Sequence, residues 1–452
     1  MNILIANRLV IADIPMTFSS EIKKELTLNN PEYISRKKMN RWIGDTPRKL
    51  EFFNELKGGL LLPRGYKSRL ITQCTRLNID YTIEDQRRKI PPVHFKFHGK
   101  LKSYQVEAVK IIIRQEEGVI SIPTGGGKTV IALNVVSQRK QPALVIVHTK
   151  ELLYQWKDRI HTFLGIPYQK IGQIGDGKKN VGSHVTVAIV NSLYKCAYEI
   201  KKYIGFLIVD ECHRTPSRTF TEAVNAFDCK YTLGLSATPF RRDGLTDLIK
   251  YSLGEIVYKI SRDNLQKTGD ILKADIIRRE TNFDTFLNAS SDYPQVLSEL
   301  TRDEDRNNLI VEDVVMEARN EKGICLVLTD RKKHVDILLE LIEHFKIPCA
   351  SLTGDMHEKQ REKVLELLNK GQIKTLITTG ALLGEGFDHN ALSVLFLTTP
   401  VSFNGRLLQY VGRVLRPAPG KDRAKIYDYI DIKVGVLKAS AKARTKVLSS
   451  YE

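Results

Sequence analysis

The sequence predicts an α/β protein built from two tandem parallel-sheet lobes, preceded by a small N-terminal α+β domain. Three observations carry this. First, short aliphatic runs (GVISI, ALVIVHT, VTVAIV, FLIVDE and YTLGLSAT) alternate with amphipathic stretches from about residue 101, and ICLVLT, KTLITT and SVLFLT repeat the arrangement further on. Apolar runs of this length between helical patterns are what strands covered on both faces require. Second, the pattern weakens between Gly254 and Asp305 into charged, mixed sequence such as SRDNLQKTGDILKADIIRRE, where a linker and the start of the second lobe are expected. Third, the first 95 residues lack these runs and carry 17 Lys and Arg against 10 Asp and Glu, with strand-like alternation only in LLPRGY and LNIDYTI. The expected domains are therefore 1–95, 96–258 and 259–452.

A chain of 452 residues is long enough for two or three separately buried cores. No apolar stretch approaches the roughly 20 residues of a membrane-spanning helix. The start, MNILIANRLVIADIP, has neither the basic n-region nor the small-residue cleavage site of a secretory signal, which predicts a cytosolic protein. Cys74, Cys196, Cys212, Cys229, Cys325 and Cys349 are scattered without a CxxC pair, a pattern of buried small hydrophobes rather than a zinc site or a disulfide framework. The formal charge of +18 points to a polyanionic partner, because lysines and arginines that neutralise phosphates release condensed counterions. Charge alone also fits a merely solvated basic surface, so the motifs must decide.

GVISIPTGGGKTVIAL reads as a buried strand, a glycine turn and a helix start. Gly125, Gly126 and Gly127 let backbone N–H groups wrap phosphate oxygens at a positive helix end. Lys128 would reach the β- and γ-phosphates, and Thr129 would hold Mg²⁺. One position departs from the G-x-x-x-x-G-K-[ST] pattern: Ile122 stands where glycine is expected. In FLIVDECH, Asp210 and Glu211 emerge from the end of an apolar strand, where ligands bind in open α/β sheets. Asp210 suits the magnesium shell, and Glu211 suits orientation and deprotonation of an attacking water.

Here the sequence resembles a known family. IPTGGGKT and DECH are similar to motifs I and II of superfamily 2 helicases, and further motifs follow in the family's order over residues 101 to 416. The resemblance implies two RecA-like lobes and ATP hydrolysis coupled to movement on nucleic acid. Tyr104 and Gln105 look like the adenine-reading element, with Thr124 and the glycines on the phosphates. VHTKELLYQW resembles motif Ia and IVNSL motif Ib, while Ser236, Ala237, Thr238 and Pro239 match the SAT motif that couples hydrolysis to movement, with His213 beside it in that role. TTGALLGEGFD resembles motif V, so Gly386 and Asp388 are expected to sense nucleotide from the second lobe. QYVGRVLR resembles motif VI. It offers Arg416 as the arginine finger, Arg413 three residues away on the same helix face, and Gln409 near the nucleotide or its water.

The same resemblance implies a nucleic-acid track of short hydroxyl and amide groups that hold phosphates without reading sequence. Its candidates are Thr149 and Lys150, Asn191 and Ser192, Thr353 and Gly354, and Thr378 and Thr379. Trp156 falls at helical spacing with Leu152 and Ile160, which favours a core role over base stacking. FRRDG, with Arg241, Arg242 and Asp243, resembles an element of XPB-type helicases, and Arg242 is a DNA-contact candidate. KKMNRWIGDTPRKLEFF followed by GGLLLPRGY is similar to the domain preceding the motor in phage and XPB-like enzymes, including UvsW-like branch-migrating helicases. There Arg41 and Trp42 sit in a cluster with Arg36, Lys37, Lys38, Arg48 and Lys49.

Only 20 residues separate Asp388 from Gln409, which leaves no room for a strand-separating hairpin. The expectation is an ATP- and Mg²⁺-dependent DNA motor that remodels branched DNA in recombination, repair or replication. An RNA helicase and a double-stranded DNA translocase subunit of a restriction-type complex remain open. A phosphate-loop kinase or regulatory module leaves motifs V and VI unexplained.

Overall fold

The computed structural model describes residues 1–214, 218–237, 245–289, 291–320, 323–380, 389, 391–400 and 404–452. The chain divides into two compact units, Met1–Pro123 with Gly127–Ile260, and Ser261–Glu452 with the short piece Thr124–Gly126. The first holds two sheets. β1 (Asn2–Ile5), β2 (Arg8–Ala12), β5 (Asn54–Leu56), β6 (Gly59–Pro63) and β7 (Thr82–Asp85) form a mixed sheet in the order β5-β6-β2-β1-β7, and β3 (Thr27–Asn29) pairs with β4 (Lys49–Glu51) beside it. Burial alternates along β1, β2 and β6, so one face is covered, as in a sheet with helices on one side only. Ile3, Ile5, Leu9, Ile11, Phe18, Leu60 and Leu62 make that core.

β8 (Glu117–Ser121), β9 (Ala143–Val147), β10 (Gly172–Gly175), β11 (Lys178–Asn180), β12 (Val185–Ile189), β13 (Phe206–Val209), β14 (Tyr231–Ser236) and β15 (Ile256–Lys259) form an eight-stranded sheet. Its order is β11-β10-β12-β9-β13-β14-β8-β15, parallel throughout except for β11. The aliphatic runs are continuous because both faces are covered. Val145, Val147 and Ile208 pack into one core, whereas Leu144, Ile146, Leu207 and Val209 pack into another.

The second unit is built on β16 (Lys273–Thr281), β17 (Ile324–Thr329), β18 (Cys349–Leu352), β19 (Thr375–Thr379), β20 (Leu392–Leu397) and β21 (Arg423–Asp431), all parallel, in the order β16-β21-β20-β17-β19-β18. β16 lies inside the stretch whose pattern weakened. It is an edge strand with most positions only partly buried, so charges alternate along it and the apolar run that marks an inner strand is missing. Among the described residues no helix is long and apolar enough to cross a membrane.

The N-terminal sheet is docked to the eight-stranded sheet by ion pairs. Arg64 reaches Glu117 at 3.3 Å and the Lys230 carbonyl at 3.0 Å, both partners of the arginine and acid being almost wholly buried. Lys67 meets Glu116 at 2.8 Å, Arg88 meets Asp228 at 3.0 Å, and Arg69 bridges Glu25, Asp247 and Glu255. Burial raises the Glu116 carboxyl, yet hydrogen bonds from Lys67 and Arg87 overcome this and hold it down at about 2. Gly65 is required here: a Cβ would stand 2.1 Å from the Lys250 carbonyl oxygen. Tyr251, from the helix Asp247–Leu253 of the lobe, belongs to the N-terminal core. Beyond Asp85 the chain already runs on the lobe, with Arg88 bridged to Cys229 and Phe95 in the lobe's core.

Candidate active site

Three neighbouring parallel strands, β13, β14 and β8, end on the same edge of the first lobe's sheet. The glycine turn follows β8, Asp210 and Glu211 follow β13, and Ser236 closes β14 between them. Gly125 and Gly127 adopt left-handed φ of 88° and 77°, which lets the turn close directly into the helix Lys128–Arg139. Gly127 also meets the Gln105 amide: a Cβ there would lie 2.4 Å from Nε2. Gln105 is itself fixed, since its Oε1 accepts from the Lys102 N–H at 3.0 Å, and it and Tyr104 are both buried. The departure at Ile122 has a physical reason. Ile122 is fully buried, its N–H donates to the Ser236 carbonyl at 3.0 Å, and its own carbonyl accepts from Lys128 Nζ at 3.3 Å. It continues the strand and has no need of a glycine's freedom. Thr129, half-buried, lies in the first turn of the helix.

Asp210 is buried, and both its carboxylate oxygens are engaged. Oδ1 accepts from the Glu211 N–H at 2.9 Å and Oδ2 from Trp156 Nε1 at 2.8 Å. Burial, followed by the charge of Glu211, pushes its carboxyl up to about 6, with the Trp156 hydrogen bond opposing. Glu211 has a φ of 47°, a left-handed conformation that disfavours an L-residue by about 1 kcal/mol or more. His213 Nδ1 lies 3.3 Å from Glu211 Oε2 and 3.0 Å from Ser236 Oγ, so one ring nitrogen connects the end of β13 to the end of β14. Ala237 follows, half-buried; Thr238 and Arg242 lie outside the described residues.

Trp156 is the residue that sequence reasoning undervalued. It is 1% exposed, the core position that helical spacing predicts, and its indole N–H also holds Asp210. The signal was available: a buried tryptophan must satisfy its N–H.

In the second unit Arg413 lies on the helix Asn404–Val414 and is buried, Arg416 follows the helix half-exposed, and Gln409 is on the same helix, its side chain outside the described residues. Tyr410 ties this helix to the end of β19 by donating to the Gly380 carbonyl at 2.7 Å. Lys421, which no motif marked, donates to the carbonyls of Arg416 at 3.0 Å, Leu392 and Val414. Burial and then the charge of Arg416 bring its ammonium down to about 8. Gly386 and Asp388 lie outside the described residues.

The phosphate-track candidates divide. Asn191 is exposed and Ser192 half-buried, at the short helix Val190–Leu193, and Gly354 is exposed. Thr149 caps the helix Lys150–Leu164, its Oγ1 accepting from the Leu152 N–H, while Lys150 pairs with Asp176 at 3.0 Å. Thr353 donates to Asp355 at 2.7 Å. Thr378 is 1% exposed and its hydroxyl donates to the Leu352 carbonyl at 2.8 Å. Thr379, one residue on, is also buried. Arg41 is exposed, and Trp42 is 84% exposed.

A strand-end edge carrying a glycine turn and a carboxylate pair, in a chain with a second parallel lobe, defines a nucleoside-triphosphate-driven motor class. The family models agree. That for the res subunit of type III restriction enzymes matches residues 98–241, and that for the helicase conserved C-terminal domain matches residues 306–418. The chain belongs to the superfamily 2 ATP-dependent helicases and translocases. Among its relatives, the DNA 3'-5' translocase XPB2 of Sulfurisphaera tokodaii is 27% identical over 357 residues, spanning 70% of this chain and 79% of that protein. The ATP-dependent DNA helicase uvsW of Enterobacteria phage T4 is 23% identical over 359 residues, 76% of this chain and 70% of that one. Among solved structures, a fragment of a putative HsdR subunit of a type I restriction enzyme from Vibrio vulnificus YJ016 shares the fold. Its TM-score is 0.57 at 18% identity, over 78% of this chain and 66% of that one.

Proposed function

We propose that this helicase is a DNA motor that hydrolyses ATP with Mg²⁺ at the β8–β14–β13 edge and remodels branched DNA. The observation that carries the chemistry is the line Glu211–His213–Ser236, which gives the water-activating carboxylate a direct connection to the motif expected to transmit hydrolysis as movement. In this reading Gly125, Gly126, Gly127 and Lys128 hold the phosphates, with Tyr104 and Gln105 at the base and Thr124 beside the turn. Glu211 takes the proton from the attacking water. Gln409, Gly386 and Asp388 act from the second lobe.

Thr129 and Asp210 suit Mg²⁺, since they offer hard oxygens and Asp210 is a buried carboxylate whose charge no described cation pairs directly. When bound, the ion would neutralise charge on the transferred phosphoryl group. This gives a pH prediction. Burial and the neighbouring Glu211 charge raise the Asp210 carboxyl above the usual carboxylate range, so kcat/KM for ATP at limiting Mg²⁺ should fall as pH drops below neutral and the carboxylate is protonated. Trp156→Phe removes a hydrogen bond that favours the ionised form, so the acid limb should move up by roughly one pH unit, on the scale of a hydrogen bond to a charged group. A pH–rate profile checks it; an unmoved limb would separate Trp156 from catalysis.

DNA as the substrate is supported by the +18 charge and by relatives that carry the names of DNA translocase and DNA helicase. The branched preference draws on the exposed Trp42, close in sequence to Arg36, Lys37, Lys38 and Arg41 on the N-terminal domain. Deleting that domain would leave Glu117 unpaired and Tyr251 bare, so point variants are the cleaner test. Trp42→Ala combined with Arg41→Glu should remove the preference for a four-way junction over a linear duplex, measured by fluorescence anisotropy at two salt concentrations, with a shallower salt slope. A retained junction preference would assign specificity to the lobes. Comparing ATPase stimulation by junction, duplex, single strand and RNA tests the DNA assignment itself.

A further inference from the structure

Between the N-terminal sheet and the lobe lies a groove of about 520 Å³, lined by Asn7, Arg8, Tyr194, Lys195, Tyr198 and Glu222 among others. We propose that it holds an unpaired DNA strand, with bases stacked on Tyr194 and Tyr198 and phosphates met by Arg8 and Lys195. The proposal rests on the DNA-motor reading above.

The interface between the domain and the lobe is asymmetric in charge. Arg64, Arg69, Arg87 and Arg88 are each neutralised by a carboxylate within 3.4 Å. Arg8 is not. Its Nε is buried with no hydrogen-bond partner, and burial lowers its pKa, the sign of a guanidinium held without a compensating acid. A guanidinium left without an acid favours an anion in the groove that Arg8 lines.

The aromatic side of the groove points to the same occupant. Tyr194 is 44% exposed and Tyr198 69%, and Lys195, between them in sequence, is exposed. Lys201 Nζ lies over the Tyr198 ring, 5.5 Å from its centroid. Tyrosines interleaved with lysines suit single-stranded nucleic acid, whose bases have free faces; in a duplex those faces are already stacked.

The place in the chain is also right. Tyr194 comes two residues after Ser192, so the groove continues from the motif Ib segment toward the N-terminal domain. Asn7 ties the two walls by donating from Nδ2 to the Asn225 carbonyl at 2.7 Å. Glu222 is the single acid among the described lining residues and would keep the strand's phosphates toward the Arg8 and Lys195 side. A motor that remodels a junction must hold a displaced strand somewhere, and this groove lies between the motor lobe and the domain proposed to recognise the branch.

The test uses the full chain and DNA carrying 5-iododeoxyuridine. Irradiation with a single strand or a fork should produce adducts at Tyr194 or Tyr198, mapped by mass spectrometry, and a blunt duplex should not. Tyr194→Ala with Tyr198→Ala should weaken single-strand binding on the order of tenfold or more. Arg8→Gln and the surface change Lys195→Gln should each flatten the slope of log K against log salt by about 0.7, one phosphate contact on a single strand. Adducts confined to other residues, equal labelling by blunt duplex, or unchanged affinity and slope in all variants would overturn the groove assignment while leaving the motor intact. If the intact protein shows neither DNA binding nor DNA-stimulated ATPase, the motor reading fails and the groove assignment with it.

Discussion

Lys128→Ala is expected to reduce ATP turnover to background, whereas Glu211→Gln should keep nucleotide affinity within a few-fold while steady-state turnover falls by several orders of magnitude. The two side chains sit on the same sheet edge but serve different stages. Lys128 donates into the turn itself, to the Ile122 carbonyl at 3.3 Å, and nucleotide phosphates would exchange that neutral acceptor for charged ones. Its loss therefore removes ground-state grip as well as transition-state stabilisation. Glu211 is held in a left-handed conformation by Asp210 and lies 3.3 Å from His213, an arrangement that aims a carboxylate and leaves phosphate binding to others. Glutamine preserves shape and loses basicity, so the variant should bind ATP and stall before hydrolysis. Equilibrium binding of a fluorescent ATP analogue combined with single-turnover hydrolysis checks both. Normal turnover in Glu211→Gln would overturn its assignment as the base.

Arg416→Ala should lower kcat of DNA-stimulated hydrolysis by about 10³-fold or more, the range of an arginine finger, with ATP affinity changed only a few-fold. Charge spreads over the transferred phosphoryl group in the transition state, so a cation that acts there appears in kcat. Arg416→Lys should recover only part of the rate, because an ammonium keeps the charge and loses the planar fork. The helix before Arg416 is anchored through Tyr410 to Gly380, and Lys421 gathers the carbonyls of Val414 and Arg416 where the helix ends. Single-turnover rates with saturating DNA decide it; a defect confined to ATP affinity would move the finger elsewhere, with Arg413 the next residue to test.

The nucleotide edge was legible in the sequence because its parts are local. A strand buried on both faces, a glycine turn and a helix start occupy consecutive residues, as do FLIV and the acids that follow it. The N-terminal domain was harder to bound, because β7 is fully exposed along its length and the chain passes onto the lobe soon after it. β16 was obscured for the same reason, since an edge strand has no continuous apolar run.

By itself the sequence determined the α/β class, the two parallel lobes, the order of the motifs and the residue types that can grip phosphate and activate water. These follow from the spacing of apolar residues and from backbone freedom at a few glycines, both properties of neighbouring residues. Only the tertiary structure decided which side chains were available. It directed the Trp156 indole N–H to Asp210 from 54 positions away, spent the Thr378 hydroxyl on Leu352, paired Arg64 with Glu117, and left Arg8 without an acid. A buried polar group must find a partner wherever the fold brings one, and chain spacing carries no record of that choice.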